Sequence, residues 1–289
     1  MKIKDIFLFL GLVAFTCLVY SQNKPKHVSH VYVPFSYYKT NYKSSDSLGV
    51  MYKDSDTLIQ VANFKKPKGV GVPYEPKDST FLELYKTVAF QPNPKKRNKT
   101  YSMKYWKEHI NIYFTNSISK SVKKELNKFT SVIDAEIDSL TINVVKDIEN
   151  ANYIVYTEKD TAYEENLDNN QKAGYYIYWN KKSQINKGFL RLNSSALFSD
   201  LLQIREAKKL FIQSLGWFVL NRKLDCQSYF SNCHSDNKTL SDLDLALLKY
   251  HYSYGICKGT DRTTFEEQHQ RAKESLKRPN SSFVIYHEE

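Results

Sequence analysis

The chain has 289 residues, 41% apolar and 25% charged, with 9 Gly and 8 Pro. That composition excludes a collagen-like, low-complexity or wholly disordered protein, and the length suits one or two domains with a core that forms without disulfide staples. A net charge of +11 invites a nucleic-acid reading, and the placement of that charge argues against it.

Residues 1–21 read as a signal peptide. Lys2 and Lys4 form a basic start, and 6–20 is a nearly unbroken apolar run, short of the roughly 20 residues a transmembrane helix needs. Val19-Tyr20-Ser21 offers small residues at the −3 and −1 positions of a cleavage site, leaving Gln22 as the mature N-terminus. Cys17 follows Ala14-Phe15-Thr16, where Phe15 is too bulky for a lipid-anchor site. The expectation is an exported chain, periplasmic, at the cell surface or secreted, and not integral to the membrane after cleavage. In an oxidising compartment Cys226, Cys233 and Cys257 become disulfide candidates, with one thiol left over under any pairing. A Cys226–Cys233 bridge closes a short loop; either residue could instead reach Cys257. No C-x-x-C spacing supports a zinc ribbon or a thioredoxin-type site.

Residues 22–100 carry 14 Lys/Arg against 6 Asp/Glu, whereas 101–289 carry 26 against 24. The first stretch reads as a basic extended N-terminal arm. Two short strands are expected in it, at Val31-Tyr32-Val33 and Leu58-Ile59-Gln60-Val61, and a Pro- and Lys-rich linker closes it at 91–99. Beyond it the pattern is strong. Ile110, Ile112 and Phe114 alternate with polar residues as in a half-buried strand, and Val122, Leu126, Phe129, Ile133 and Ile137 form one face of a helix. Segments 141–145, 153–157, 174–179 and 188–192 read as strands, and 196–220 as a second long helix. A third helix starts near Thr239, with Thr239 and Asp242 as a capping box, and ends at Gly255. The tail, 260–289, is polar, with helical character from 264 to 277. This order predicts an α+β domain over 101–259.

The order of elements, with Gly216 late in the second long helix, resembles the zincin-like (metzincin-type) metallopeptidase domain. It looks most like bacterial secreted proteins that keep this fold without its catalytic motif. Three segments carry the likeness: Trp106 with 110–114 and 151–155; Gln213-Ser214-Leu215-Gly216-Trp217, at the second His and the Gly of HExxHxxG; and Leu240-Ser241-Asp242-Leu243-Asp244 with 247–250. The resemblance implies a mixed sheet of about five strands and long central helices. It also shows what is missing. Two His at i and i+4 must meet one metal, with a Glu polarising the water. The matching positions are Lys209, Leu210 and Gln213, and the third ligand position falls on Val219. No catalytic residue, metal or cofactor is therefore expected there.

Other chemistry is sparse. Of the seven His residues, 27, 30, 109, 234, 251, 269 and 287, no two are spaced i and i+4; His27 and His30 are three apart but sit in the arm with no carboxylate near in sequence. His234, Asp244 and His251 could converge in space, which defines the alternative of a hydrolase or peptidase with an unconventional site. Ser117-x-x-Lys120 lacks the partner motifs of a Ser nucleophile and reads as a helix cap. Tyr–Lys interleaving at Tyr37-Tyr38-Lys39, Tyr42-Lys43 and Tyr52-Lys53 superficially suits nucleic acid. An exported chain without a nucleic-acid motif points elsewhere, to an anionic envelope component or an acidic protein surface. Adhesion to an anionic glycan through the arm is a further alternative. The leading expectation is a non-catalytic exported protein with a binding or assembly role at the bacterial envelope.

Overall fold

The computed structural model describes residues 31–53, 56–64, 69–95, 100–167, 170–277 and 283–287. Residues 1–21, His27 and His30 lie outside them. The chain divides into two compact units, Met1–Lys68 and Gly69–Glu289.

The first unit contains β1 (Val31–Pro34), α1 (Phe35–Asn41), β2 (Ser47–Lys53) and β3 (Asp56–Val61). β3 lies between β1 and β2 in an antiparallel sheet. Both apolar patches read as strands from the sequence fall in β1 and β3. Strand alternation puts Val33, Ile59 and Val61 on one buried face, where Tyr38 of α1 covers them. The Tyr38 hydroxyl donates to the Lys43 carbonyl at 2.6 Å, so the ring packs while its polar end is satisfied. This segment is a small folded sheet rather than an extended arm.

The second unit runs β4 (Val70–Pro73), α2 (Ser79–Ala89), β5 (Tyr105–Trp106), β6 (Ile110–Phe114), α3 (Lys120–Glu136), β7 (Ile142–Val144), β8 (Tyr153–Thr157), β9 (Ala173–Trp179), β10 (Gln184–Leu192), α4 (Asp200–Gly216), α5 (Asp242–Tyr252), α6 (Arg262–Leu276) and β11 (Val284–His287). It is a mixed α/β structure. Strands β7, β6, β8 and β10 are parallel neighbours, β5 pairs in parallel with the start of β10, and β9 pairs with β10 antiparallel. The expected mixed sheet is present, with six strands where about five were expected. β4 and β11 form a separate antiparallel pair.

The sequence patterns explain the core. Ile110, Ile112 and Phe114 are the buried positions of β6, and Val122, Leu126, Phe129 and Ile133 are the buried stripe of α3. Each such side chain contributes roughly 1.5–3 kcal/mol of hydrophobic stabilisation. Ser119 caps α3, accepting from Val122 N at 3.2 Å. Ser117, the serine of the S-x-x-K match, instead donates to Asp160, as does Thr115 at 2.8 Å.

Four expectations change. The stretch 79–89, read as part of the arm, is helix α2: Asp78 caps it through Phe81 N at 2.8 Å, and Tyr85, Val88 and Ala89 enter the main core. The tail is likewise built in, because Phe265 of α6 is buried against Tyr85, Phe90 and Tyr250, and β11 pairs with β4. The unit expected over 101–259 therefore also takes in 70–90 and 262–287. Helix α5 starts two residues later than read. Its capping box is Ser241 with Asp244, and the chain leaves it at Ser253, before Gly255. Helix α4 is shorter than 196–220 at both ends, starting after the Ser199 cap and stopping at Gly216.

Candidate functional site

Helix α4 carries the positions that the sequence likeness to a zincin-type site singles out. Its last residue is Gly216, and a Cβ there would lie 2.3 Å from Cζ of Phe218, whose ring packs against His251 and Phe230. Trp217 follows in the left-handed region, at φ 53° and ψ 43°, and its N–H returns to the Gln213 carbonyl. A bulky residue adopts that conformation only where its surroundings compensate the strain. Here the indole lies between Trp179 of β9, 5.1 Å between ring centroids, and Tyr101, at 5.3 Å, while Gln91 Nε2 donates to the Trp217 carbonyl at 3.1 Å.

The positions that the sequence likeness aligns with a zincin's metal ligands hold other contacts. Lys209 Nζ pairs with Glu206 Oε2 at 2.5 Å, one turn back on the same helix. Leu210 is buried in the core. Gln213 Nε2 donates to the Lys209 carbonyl at 3.4 Å, and Val219 N donates to the Val88 carbonyl of α2 at 2.9 Å. Among the described residues, no group of three or more His, Cys, Asp or Glu side chains is placed to hold a metal ion.

The adjacent loop is closed by a Cys226–Cys233 disulfide, with 4.9 Å between Cα atoms; Cys257 is a free thiol. Of the pairings left open by the sequence, this is the short-loop one. Lys238 reaches into the same loop and donates to the carbonyls of Cys226, Ser228 and Ser231 at 3.1, 2.6 and 3.0 Å. Burial lowers the pKa of this ammonium, and the nearby Lys209 charge lowers it further.

His234, Asp244 and His251 do not converge. His234 is exposed and its partner is Asp236, at 4.0 Å. Asp244 is buried and accepts from Ser228 Oγ at 2.5 Å, Tyr229 N at 3.1 Å and Ser241 N at 3.3 Å. Burial raises its pKa and these bonds oppose the rise. His251 is fully buried, with Nδ1 3.0 Å from the Tyr85 hydroxyl and Nε2 2.8 Å from the Lys104 carbonyl. Burial takes its pKa down to about 3, so the ring is neutral at ordinary pH. Nε2 must be the protonated nitrogen to donate to a carbonyl, which leaves Nδ1 to accept from Tyr85. Both ring nitrogens are committed, and the ring is a structural crosslink between α2, α5 and the segment before β5.

A surface feature that the sequence reading missed adjoins Gly216. Trp179 is about two-fifths exposed, Lys104 Nζ lies 4.8 Å from its ring centroid, and that ammonium also donates to Ser183 Oγ at 3.1 Å. Burial lowers the Lys104 pKa. Among the described residues, β9 pairs only with β10, so its outer edge is open beside these rings. The signal in the sequence is the aromatic run Tyr175-Tyr176-Ile177-Tyr178-Trp179, denser than a two-sided buried strand requires. Comparison of the chain with known protein families, curated proteins and solved structures finds no match.

Proposed function

We propose that the second unit is a zincin-like domain whose metal-binding helix has lost its chemistry, and that the chain has a binding or assembly role at the bacterial envelope. The observation that carries this reading is the state of Lys209 and Gln213. An ammonium committed to Glu206 and an amide turned back onto its own helix stand where a metallopeptidase needs two imidazoles. The open edge of β9 and the cluster of tilted rings Trp179, Trp217 and Tyr101 offer a contact surface in place of a catalytic one. The Cys226–Cys233 bridge suits an oxidising compartment, and the Lys-rich composition of 22–100 suits an anionic envelope component or an acidic protein surface as partner.

The test is metal analysis and peptidase assay of the purified chain. The expected result is less than stoichiometric zinc and no cleavage of a denatured protein substrate. Stoichiometric zinc together with chelator-sensitive cleavage overturns the reading.

A further inference from the structure

Seven residues past α5, the chain returns to β5 through a tightly held turn. Gly259, at φ 80°, sits where a Cβ would fall 2.8 Å from the Lys182 carbonyl oxygen, and Met103 N donates to the Thr260 carbonyl at 3.0 Å. This close approach fixes the position of Lys258. Its ammonium lies 4.6, 5.8 and 5.9 Å from the ring centroids of Tyr254, Tyr105 and Tyr252. Among the described residues no carboxylate pairs with it. The rings return only part of the hydration that the cation loses, and burial draws its pKa down to about 8.

Lys258 lines a cavity of about 700 Å³, a size that suits a small organic ligand. Planar and apolar walls come from Tyr105, Trp106, Tyr254 and Tyr286, with Val70 and Val72 beside them. The other basic side chains on the wall are Lys107 and His287, and among the described residues no Asp or Glu lines it. His287 Nε2 is already occupied in donating to the Tyr254 carbonyl, and Gln184 Nε2 donates to the Tyr105 hydroxyl at 3.2 Å. The cavity thus combines a flat aromatic lining with one secluded positive charge that has no counter-ion among the described residues.

We propose that this cavity binds a small organic anion, a carboxylate carried on a planar aromatic body, with the Lys258 ammonium as its counter-charge. The single cage-held cation matches a monoanion, and the Tyr and Trp rings match a planar body. Neither α4 nor the positions aligned with a zincin's metal ligands take part, so this site stands or falls independently of the zincin-like reading.

The test is calorimetric titration of the full chain with 2-naphthoate and with its neutral analogue 2-naphthalenemethanol. Naphthoate is expected to bind at least about tenfold more tightly than the alcohol, the scale of one charge-assisted contact. Lys258→Gln should weaken naphthoate by about tenfold or more, and Lys223→Gln, at an exposed position, should leave it unchanged. Equal affinity for the two probes, or full naphthoate affinity in a folded Lys258→Gln protein, overturns the proposal. Should that variant not fold, acetic anhydride labelling of the wild-type chain decides. Saturating naphthoate should shield Lys258 from acetylation, and undiminished labelling overturns the site.

Discussion

His251 and Lys258 are seven positions apart, and burial lowers the pKa of both, yet their surroundings differ in kind. The imidazole has a polar partner at each nitrogen and aromatic neighbours around it, including Phe218 at 4.6 Å and Tyr252 at 5.3 Å. The ammonium has three rings and an open cavity. Burial by itself therefore does not mark a functional residue. What separates the two is whether the protein has already supplied the partner that the buried group needs.

The comparison breaks most directly at His251. His251→Ala removes a core side chain, strips the Lys104 carbonyl of its partner and leaves the Tyr85 hydroxyl only the Met103 sulfur at 3.8 Å, at an expected cost of about 4 kcal/mol. Urea denaturation measures it, and an unchanged midpoint would restore a functional role for the ring. Replacing both Cys226 and Cys233 with Ser should cost about 2 kcal/mol, the scale of releasing a loop whose ends are 7 residues apart. The loop supports the same core, since Phe230 packs on Phe218 at 5.1 Å, so the loss should appear in the global melting transition rather than as local fraying.

Acid sharpens the contrast. A histidine held neutral when folded contributes stability that is fully present above its unfolded pKa near 6.5 and is lost as pH falls towards its folded value of about 3. Stability should thus fall by up to about 1.4 kcal/mol per pH unit below pH 6. His269, whose pKa burial also lowers, adds to the same trend. Denaturation at pH 7.5 and at pH 5 measures the slope, which should shrink in His251→Gln. Gly259→Ala should cost at least about 1 kcal/mol of stability, because a Cβ there meets a left-handed φ and the Lys182 carbonyl oxygen at 2.8 Å together. The same change should disturb naphthoate binding at Lys258 and leave the acid slope intact.

Much of the second unit was legible because its elements bury one face each. The alternation in β6 and the stripe of α3 report directly which side meets the core. Helix α2 was not legible in the same way. Phe81, Leu82, Tyr85, Val88 and Ala89 do have helical spacing, but Lys- and Pro-rich neighbours on both sides hide it in an average over 22–100. Helix α5 was read as capped by Thr239 with Asp242; Ser241 with Asp244 takes that role instead, and Asp244 is also held by Ser228 and Tyr229. Residue type alone shows that Lys209, Leu210 and Gln213 on α4 are not a zinc-ligand set. The ion pair and backbone contacts they make depend on how the helix is packed. The Lys258 cage was invisible to sequence because its rings come from β5, the end of α5 and the loop beyond it, whose approach is set by tertiary packing.

The grip of Lys238 gives the disulfide loop a second closure beside the covalent one. Its ammonium holds three carbonyls of the segment, including that of Cys226 itself. These bonds run from side chain to backbone and involve neither sulfur, so the shape of the loop is written twice, once in a covalent bond and once in a charge shared among three carbonyls.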